Sequence, residues 1–169
     1  MPISTPLVKK LVQIPIFGGL TVPEAAEFFE VAQETSVARG ATLFREGDDG
    51  DALLVILEGD VLVTRKGVEL ARLGRHSVLG EMSLMGEGET RSATATALTD
   101  LKVLNVPSKR VQKMLKVDHV AALKVVANLA QVMSKRLAAI NERLVAASGG
   151  GKKKEELADF GRILTTWQF

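Results

Sequence analysis

The chain has 169 residues, of which 46% are hydrophobic and 25% charged, with no cysteine and a formal net charge of +2. This composition predicts a globular domain with its own core, and so small a net charge does not by itself indicate a nucleic-acid partner. The absence of cysteine excludes a disulfide framework, a thiolate metal site and an iron–sulfur cluster. Neither a leader-like N-terminus nor an apolar run of membrane-span length is present, so we expect a cytoplasmic protein without membrane contact.

Residues 5–35 are predicted to form the N-terminal helices. Apolar residues recur there at helical spacing before a break at Pro15. Thr21 is expected to cap a second helix, with Pro23 in its first turn and Glu24 at the capping-box position.

Residues 36–106 have the pattern of an antiparallel β-roll or jelly roll. Short apolar or alternating runs are interrupted by glycines at roughly eight-residue intervals, which is typical of such folds. The segment Ser92–Ala97 alternates apolar and hydroxyl residues, which predicts a half-buried strand starting directly after Arg91. The acidic loop Asp48–Asp51 lacks the ligand spacing of a calcium loop, so we interpret it as a solvated turn with a structural role only.

Residues 107–147 are predicted to form the C-terminal helices. The first runs from Ser108 to Lys116, and a long one, capped by Asp118, runs from His119 to about Ala147. The apolar stripe of the long helix is more often core or a dimer seam than a catalytic feature. Residues 148–169 predict a Gly/Lys linker and an amphipathic tail helix that would pack on this chain, a sister subunit or another partner.

The run Gly80-Glu81-Met82-Ser83-Leu84, followed by Arg91-Ser92-Ala93, brings one carboxylate and one guanidinium around a short turn. A guanidinium offers paired donors that match a phosphate, and an ionised carboxylate accepts a hydrogen bond from a hydroxyl group. Gly80 permits a close backbone approach, and a helical turn from Glu81 would direct amides at an anion. A lone Glu and Arg at this spacing would more often form a surface ion pair, but the complete motif favours a binding site.

This run, with Thr94 and Ala95 after it, resembles the phosphate-binding cassette of cyclic nucleotide-binding domains. The resemblance covers about residues 15–147 and implies a domain over residues 1–147, with Arg91 and Ser92 at a phosphate and Glu81 at a ribose hydroxyl. In this family the long C-terminal helix covers the nucleotide and often pairs two subunits, which implies a homodimer. The stretch Met133–Glu142 is similar to the part that meets the base and makes Arg136 and Asn141 candidates, although Ile140 stands where a threonine is expected. The residues that the resemblance implies as ligand-binding are Gly80, Glu81, Met82, Ser83, Arg91, Ser92, Ala93, Arg136 and Asn141.

The function expected from these features is a stand-alone, bacterial-type receptor that regulates an unidentified protein partner through its C-terminal helix and tail. Cyclic AMP is the first choice of ligand, cyclic GMP the second and a cyclic dinucleotide the third. Tight binding of a dinucleotide would require more positive charge than Arg91 alone provides. The competing interpretation is an interaction adaptor whose β-roll works without nucleotide.

Other classes of function fit the sequence less well. His76 and His119 are the only histidines and lie far apart, so we expect neither a metal enzyme nor a haem sensor, and no cofactor. No nucleophile and base pair is recognisable, so we expect no enzyme. The residues after the long helix are too few for a helix-turn-helix with its supporting helix, and direct DNA binding is therefore not expected.

Overall fold

The computed structural model describes residues 3–84 and 90–147, and the chain divides into two compact units, Met1–Leu129 and Ala130–Phe169. The predicted linker and tail helix, residues 148–169, lie outside the described part. The α-helices are α1 (Thr5–Leu11), α2 (Val22–Phe29), α3 (Ser108–Lys116) and α4 (Val120–Ala147). The strands are β1 (Gln33–Val37), β2 (Thr42–Phe44), β3 (Ala52–Glu58), β4 (Val61–Arg65), β5 (Val68–Leu73), β6 (Val78–Leu79), β7 (Thr94–Ala97) and β8 (Leu101–Pro107). Two short 3-10 turns span Pro15–Phe17 and Glu81–Leu84, and we call the second the cassette turn.

The strands form two four-stranded antiparallel sheets, in the orders β1-β8-β3-β6 and β2-β7-β4-β5. Small and branched apolar side chains from both sheets form one buried cluster: Ala52, Leu54, Ile56, Val61, Leu79, Ala95, Ala97, Leu101 and Val103. Because side chains alternate along a strand, Leu53 and Val55 of β3 lie on its other face, where they are also buried. The fold is thus the predicted one, a mainly β antiparallel roll with N-terminal helices and a long C-terminal helix.

The N-terminal helices pack through an aromatic cluster. Phe17, Phe28 and Phe29 are fully buried, and their ring centroids lie 4.9 to 5.9 Å apart. The capping box predicted for α2 is confirmed, because the Thr21 amide donates to the Glu24 carboxylate at 2.8 Å and the Glu24 amide donates to the Thr21 hydroxyl at 3.4 Å.

The prediction of helix as far as residue 35 was wrong. The chain enters β1 at Gln33 and pairs with β8, from Gln33 opposite Asn105 to Val37 opposite Leu101. This edge strand is almost wholly exposed, so its polar sequence lacks the alternation by which a half-buried strand is recognised. The strand predicted from Ser92 is also shorter than expected, since β7 begins at Thr94.

Helix α3 has the predicted bounds, and α4 begins one residue later than predicted, at Val120. Asp118 is not at the N-cap of α4. It lies one residue before the N-cap position, and its backbone is in the left-handed region, with φ 53°. The side chains of Lys124 and Asn128 then anchor the first part of α4 to the N-terminal helices.

The anchor consists of an ion pair and an amide. The Lys124 ammonium donates to both carboxylate oxygens of Glu24, at 2.8 and 2.9 Å, and the Asn128 amide donates to the carbonyls of Ile16 and Gly18 at 3.2 and 2.7 Å. The hydrogen bond from Lys124, and next the one from the Thr21 amide, lower the pKa of Glu24 to about 2. Among the helices that the structure describes, none has the length and apolarity needed to span a membrane.

Candidate functional site

The cassette turn begins after a glycine with a left-handed backbone. Gly80 has φ 70°, and its carbonyl accepts from the Ser83 amide at 3.0 Å and from the Ser83 hydroxyl at 2.7 Å. Ser83 and Leu84 are buried, so they anchor the turn to the protein, whereas Met82 is 37% exposed. The predicted helical turn from Glu81 is therefore present as one tight, internally bonded 3-10 turn.

Gly80 is required here for a second reason, which is the proximity of Arg91. A β-carbon at position 80 would collide with Nη1 of Arg91 and would lie 2.8 Å from the carbonyl oxygen of Ala52. Only glycine combines the positive φ with room for the guanidinium. The backbone before the cassette turn and the Arg91 side chain thus touch, which brings these two predicted site residues together.

Arg91 is held at both its backbone and its guanidinium. Its amide donates to the carbonyl of Asp48 at 2.7 Å, and its carbonyl accepts from the Gly47 amide at 2.8 Å. In the side chain, Nη1 donates to the carbonyl of Ala52 at 2.8 Å and Nη2 to the Asp51 carboxylate at 3.0 Å. The guanidinium carbon lies 4.3 Å from the centroid of the Phe44 ring, at cation–π distance. The sequence predicted that a strand beginning directly after Arg91 would hold this residue. β7 begins three residues later, at Thr94, and Arg91 is held by the contacts described above.

One nitrogen of this buried guanidinium makes no hydrogen bond within the described structure. Arg91 is only 6% exposed, and its Nε has no hydrogen-bond partner in the described structure. Burial lowers the pKa of Arg91, while the carboxylates of Asp51 and Asp48 act in the opposite direction. Buried polar groups are normally hydrogen-bonded, and leaving a charged donor without a partner is costly. An anion placed at Nε would satisfy the donor and add a second negative charge beside the guanidinium.

The other residues predicted from the cassette differ in exposure. Glu81 is the first residue of the cassette turn and is half-buried, Ser92 is exposed, and Ala93 is buried directly before β7. Arg136 and Asn141 lie in the part of α4 that belongs to the second unit, where Asn141 is half-buried and the Arg136 side chain is outside the described residues. Their contact with a base stays a prediction.

Sequence reasoning missed three neighbours of Arg91: Phe44, Asp51 and Ala52. The acidic loop was interpreted as a solvated turn, and its Asp51 side chain is indeed largely exposed, yet the carboxylate pairs with the buried guanidinium. Position 51 lies 40 residues before position 91, so the sequence spacing gives no sign of this contact. No group of three or more His, Asp or Glu side chains suited to a metal ion occurs within residues 3–84 and 90–147.

The two-sheet roll is the fold of a cyclic nucleotide-binding domain. The sequence profile of the family described as "Cyclic nucleotide-binding domain" matches residues 34–118, which run from β1 to the end of α3 and include the cassette turn and Arg91. The chain belongs to this family.

Similar proteins are found in bacteria. The chain is 34% identical over 132 residues to a cyclic AMP receptor protein of Thermus thermophilus, covering 73% of this chain and 57% of that protein. It is 31% identical over 136 residues to Glutaminase 1 of Bradyrhizobium diazoefficiens, covering 80% of this chain but 22% of that protein. The crystal structure of the N-terminal domain of a transcriptional regulator from Streptomyces coelicolor superposes with a TM-score of 0.65 at 36% identity, covering 75% of this chain and 93% of that one. The match therefore spans little more than half of the Thermus thermophilus protein and less than a quarter of Glutaminase 1.

Proposed function

We propose that this chain is a receptor module for a cyclic mononucleotide, with cyclic AMP as the first choice and cyclic GMP as the second. Membership of the family supports nucleotide binding in general. The single observation that carries the assignment to this site is the buried Arg91 guanidinium, whose Nε has no partner in the described residues. The proposed role is sensing in the cytoplasm rather than catalysis.

The proposed roles of the residues follow from their chemistry. Arg91 Nε donates to the cyclic phosphate while its two terminal nitrogens stay on Asp51 and Ala52. Glu81 accepts from the ribose 2′-hydroxyl, and Ser92, which is exposed beside Arg91, adds a hydroxyl donor. Gly80, Met82, Ser83 and Ala93 provide the backbone around the phosphate. Arg136 and Asn141 are proposed to contact the base.

The proposed mechanism is a population shift. Nucleotide binding favours one of two arrangements of α4 and the tail, and a partner protein recognises the favoured arrangement. A homodimer formed through α4 is part of this proposal. Cyclic AMP is preferred because a curated relative is named a cyclic AMP receptor protein, although the chain spans only part of that relative.

Thermal unfolding and calorimetric titration test the proposal. We expect cyclic AMP or cyclic GMP to raise the midpoint of thermal unfolding, since a ligand at about 100 times its Kd stabilises a protein by about 2.7 kcal/mol. Acyclic 5′-AMP is the control for non-specific phosphate effects, and a cyclic dinucleotide tests the third choice of ligand. If no cyclic nucleotide binds, the receptor assignment is wrong.

An adaptor function is the second candidate, and an exposed apolar surface favours it. Val117, directly after α3, is 75% exposed, and Val120 and Leu123, in the first turn of α4, are 55% and 45% exposed. Such a group of apolar side chains is typical of a protein contact. The adaptor account predicts that partner binding depends on residues 148–169 and is the same with and without cyclic nucleotide, which a pull-down of the full chain under both conditions measures.

A further inference from the structure

Helix α3 is hydrogen-bonded to the candidate site at two separate points. The Ser108 amide donates to the carbonyl of Asp51 at 2.8 Å, and the Gln112 side-chain amide donates to the carbonyl of Leu84 at 2.8 Å. The first contact is made by the backbone at the N-terminal end of α3, and the second by a side chain one turn later. Asp51 is the ion-pair partner of Arg91, and Leu84 is the last residue of the cassette turn. The first two turns of α3 thus contact both halves of the site.

The first of these connections runs from the Arg91 guanidinium through the start of β3 to the end of β8. Asp51 and Ala52 accept from the Arg91 guanidinium, Ala52 is opposite Pro107 in the pairing of β3 with β8, and α3 begins at the next residue. A displacement of the guanidinium therefore reaches the start of α3 through two hydrogen bonds and one strand pair. This path consists mostly of backbone, which leaves little for a side-chain substitution to change.

The second connection depends on one side chain. The Gln112 amide is part-buried and donates to a carbonyl at the end of a 3-10 turn, where the last carbonyls lack partners within the turn itself. Removing this donor would leave the Leu84 carbonyl without its α3 partner. No backbone hydrogen bond between the described residues of α3 and the cassette turn replaces it.

Buried polar atoms without hydrogen-bond partners occur at the site, at the start of α3 and directly before α4. In the described part of the chain, three buried side-chain atoms have no hydrogen-bond partner: Arg91 Nε, Ser108 Oγ and His119 Nδ1. They belong to the site, the first residue of α3 and the residue before α4. A buried polar atom without a partner raises the free energy of the arrangement that contains it.

We propose that Gln112 is a positioning residue that couples the cassette turn to α3. This inference rests on the proposed function, because the event that it transmits is nucleotide binding at Arg91 and the cassette turn. When the phosphate shifts the cassette turn, the hydrogen bond from Gln112 to Leu84 moves α3 with it. α3 is in turn bonded to the start of α4, since the His119 amide donates to the carbonyl of Met114 at 3.0 Å.

Hydrogen exchange with saturating cyclic AMP tests the proposal on the full chain. In the unsubstituted protein, the nucleotide should slow amide exchange in the cassette turn and in α3. In Gln112→Met, which keeps the length of the side chain but removes the donor, the effect on the cassette turn should remain, while the effect on α3 should decrease by about threefold to tenfold, the range set by one hydrogen bond. Gln131→Met, the same change at an exposed position of α4, should behave like the unsubstituted protein.

The outcomes separate the two proposals. Slowing of α3 exchange that is undiminished in Gln112→Met overturns the coupling role while leaving nucleotide binding intact. No slowing in the cassette turn of the unsubstituted protein means that the receptor function itself has failed, and the coupling falls with it. A second measurement needs no variant: the side-chain amide resonances of Gln112 should shift on addition of cyclic AMP, and resonances that do not move at saturation contradict the proposal.

Discussion

Two ion pairs in the first unit differ in how completely their hydrogen bonds are satisfied. The Lys124 and Glu24 side chains are 40% and 24% exposed, and the ammonium has three acceptors: both carboxylate oxygens and, at 3.4 Å, the carbonyl of Gly19. The Arg91 and Asp51 side chains are 5% and 80% exposed, and the more deeply buried cation has the unused donor. A buried charge with an unused donor is poorly arranged for stability alone. Lys124 therefore serves the architecture, whereas the arrangement of Arg91 is consistent with the ligand-binding role proposed for it.

The largest expected effect is that of Arg91→Ala on nucleotide affinity. Loss of a charge-assisted contact to a buried anion costs about 3 kcal/mol, which corresponds to a loss of affinity of about a hundredfold or more. Calorimetric titration measures it, and Arg72→Ala, which removes an exposed arginine paired with Glu69, is the matched control. Unchanged nucleotide affinity in a folded Arg91→Ala protein would show that Arg91 does not bind the nucleotide.

Gly80→Ala should impair both stability and nucleotide binding. A positive φ at a residue with a side chain, together with displacement of the Arg91 guanidinium, should lower the free energy of unfolding by about 1–3 kcal/mol. Gly67→Ala is the control that separates the two causes, because Gly67 has φ 78° with nothing within 4 Å of an added β-carbon. Chemical denaturation and titration should show a larger effect at position 80. Equal effects at the two positions would contradict the proposed role of the Arg91 contact.

Asn128→Ala should affect stability while leaving the affinity nearly unchanged. Two carbonyls, of Ile16 and Gly18, lose their donor, and the free energy of unfolding should fall by about 1 kcal/mol. Gln131→Ala, at an exposed position on the same helix, is the control for helix propensity and should be close to neutral. A loss of affinity comparable with that of Arg91→Ala would show that the two regions are not distinct in function.

The smallest effect is a pH dependence from Glu24. Its pKa is lowered from 4.5 to about 2, so the folded protein binds fewer protons than the unfolded chain between these values, and the stabilisation is lost as the pH falls through this window. Glu24→Gln should flatten the decrease in stability between about pH 4.5 and pH 2. Glu34→Gln, on the exposed strand β1, is the control. An identical pH profile for Glu24→Gln and the unsubstituted protein would contradict the importance of the pair with Lys124.

The sequence predicted those parts of the molecule that depend on local pattern. Glycine spacing and alternation predicted the roll, Thr21 and Glu24 predicted the cap of α2, and the cassette motif predicted the turn after Gly80. The strand β1 was missed because an exposed edge strand has no apolar alternation. Asp51 was missed because its contact with Arg91 joins positions far apart in the sequence, and only the folded sheets bring them together.

The most direct test of the account is a crystal structure of the protein with cyclic AMP. We predict a phosphate oxygen at about 2.7–3.0 Å from Arg91 Nε, the distance of a charge-assisted hydrogen bond, with the two terminal nitrogens still on Asp51 and Ala52. A nucleotide phosphate bound elsewhere, with Arg91 Nε still lacking a partner, would contradict the claim that this guanidinium is arranged for the ligand.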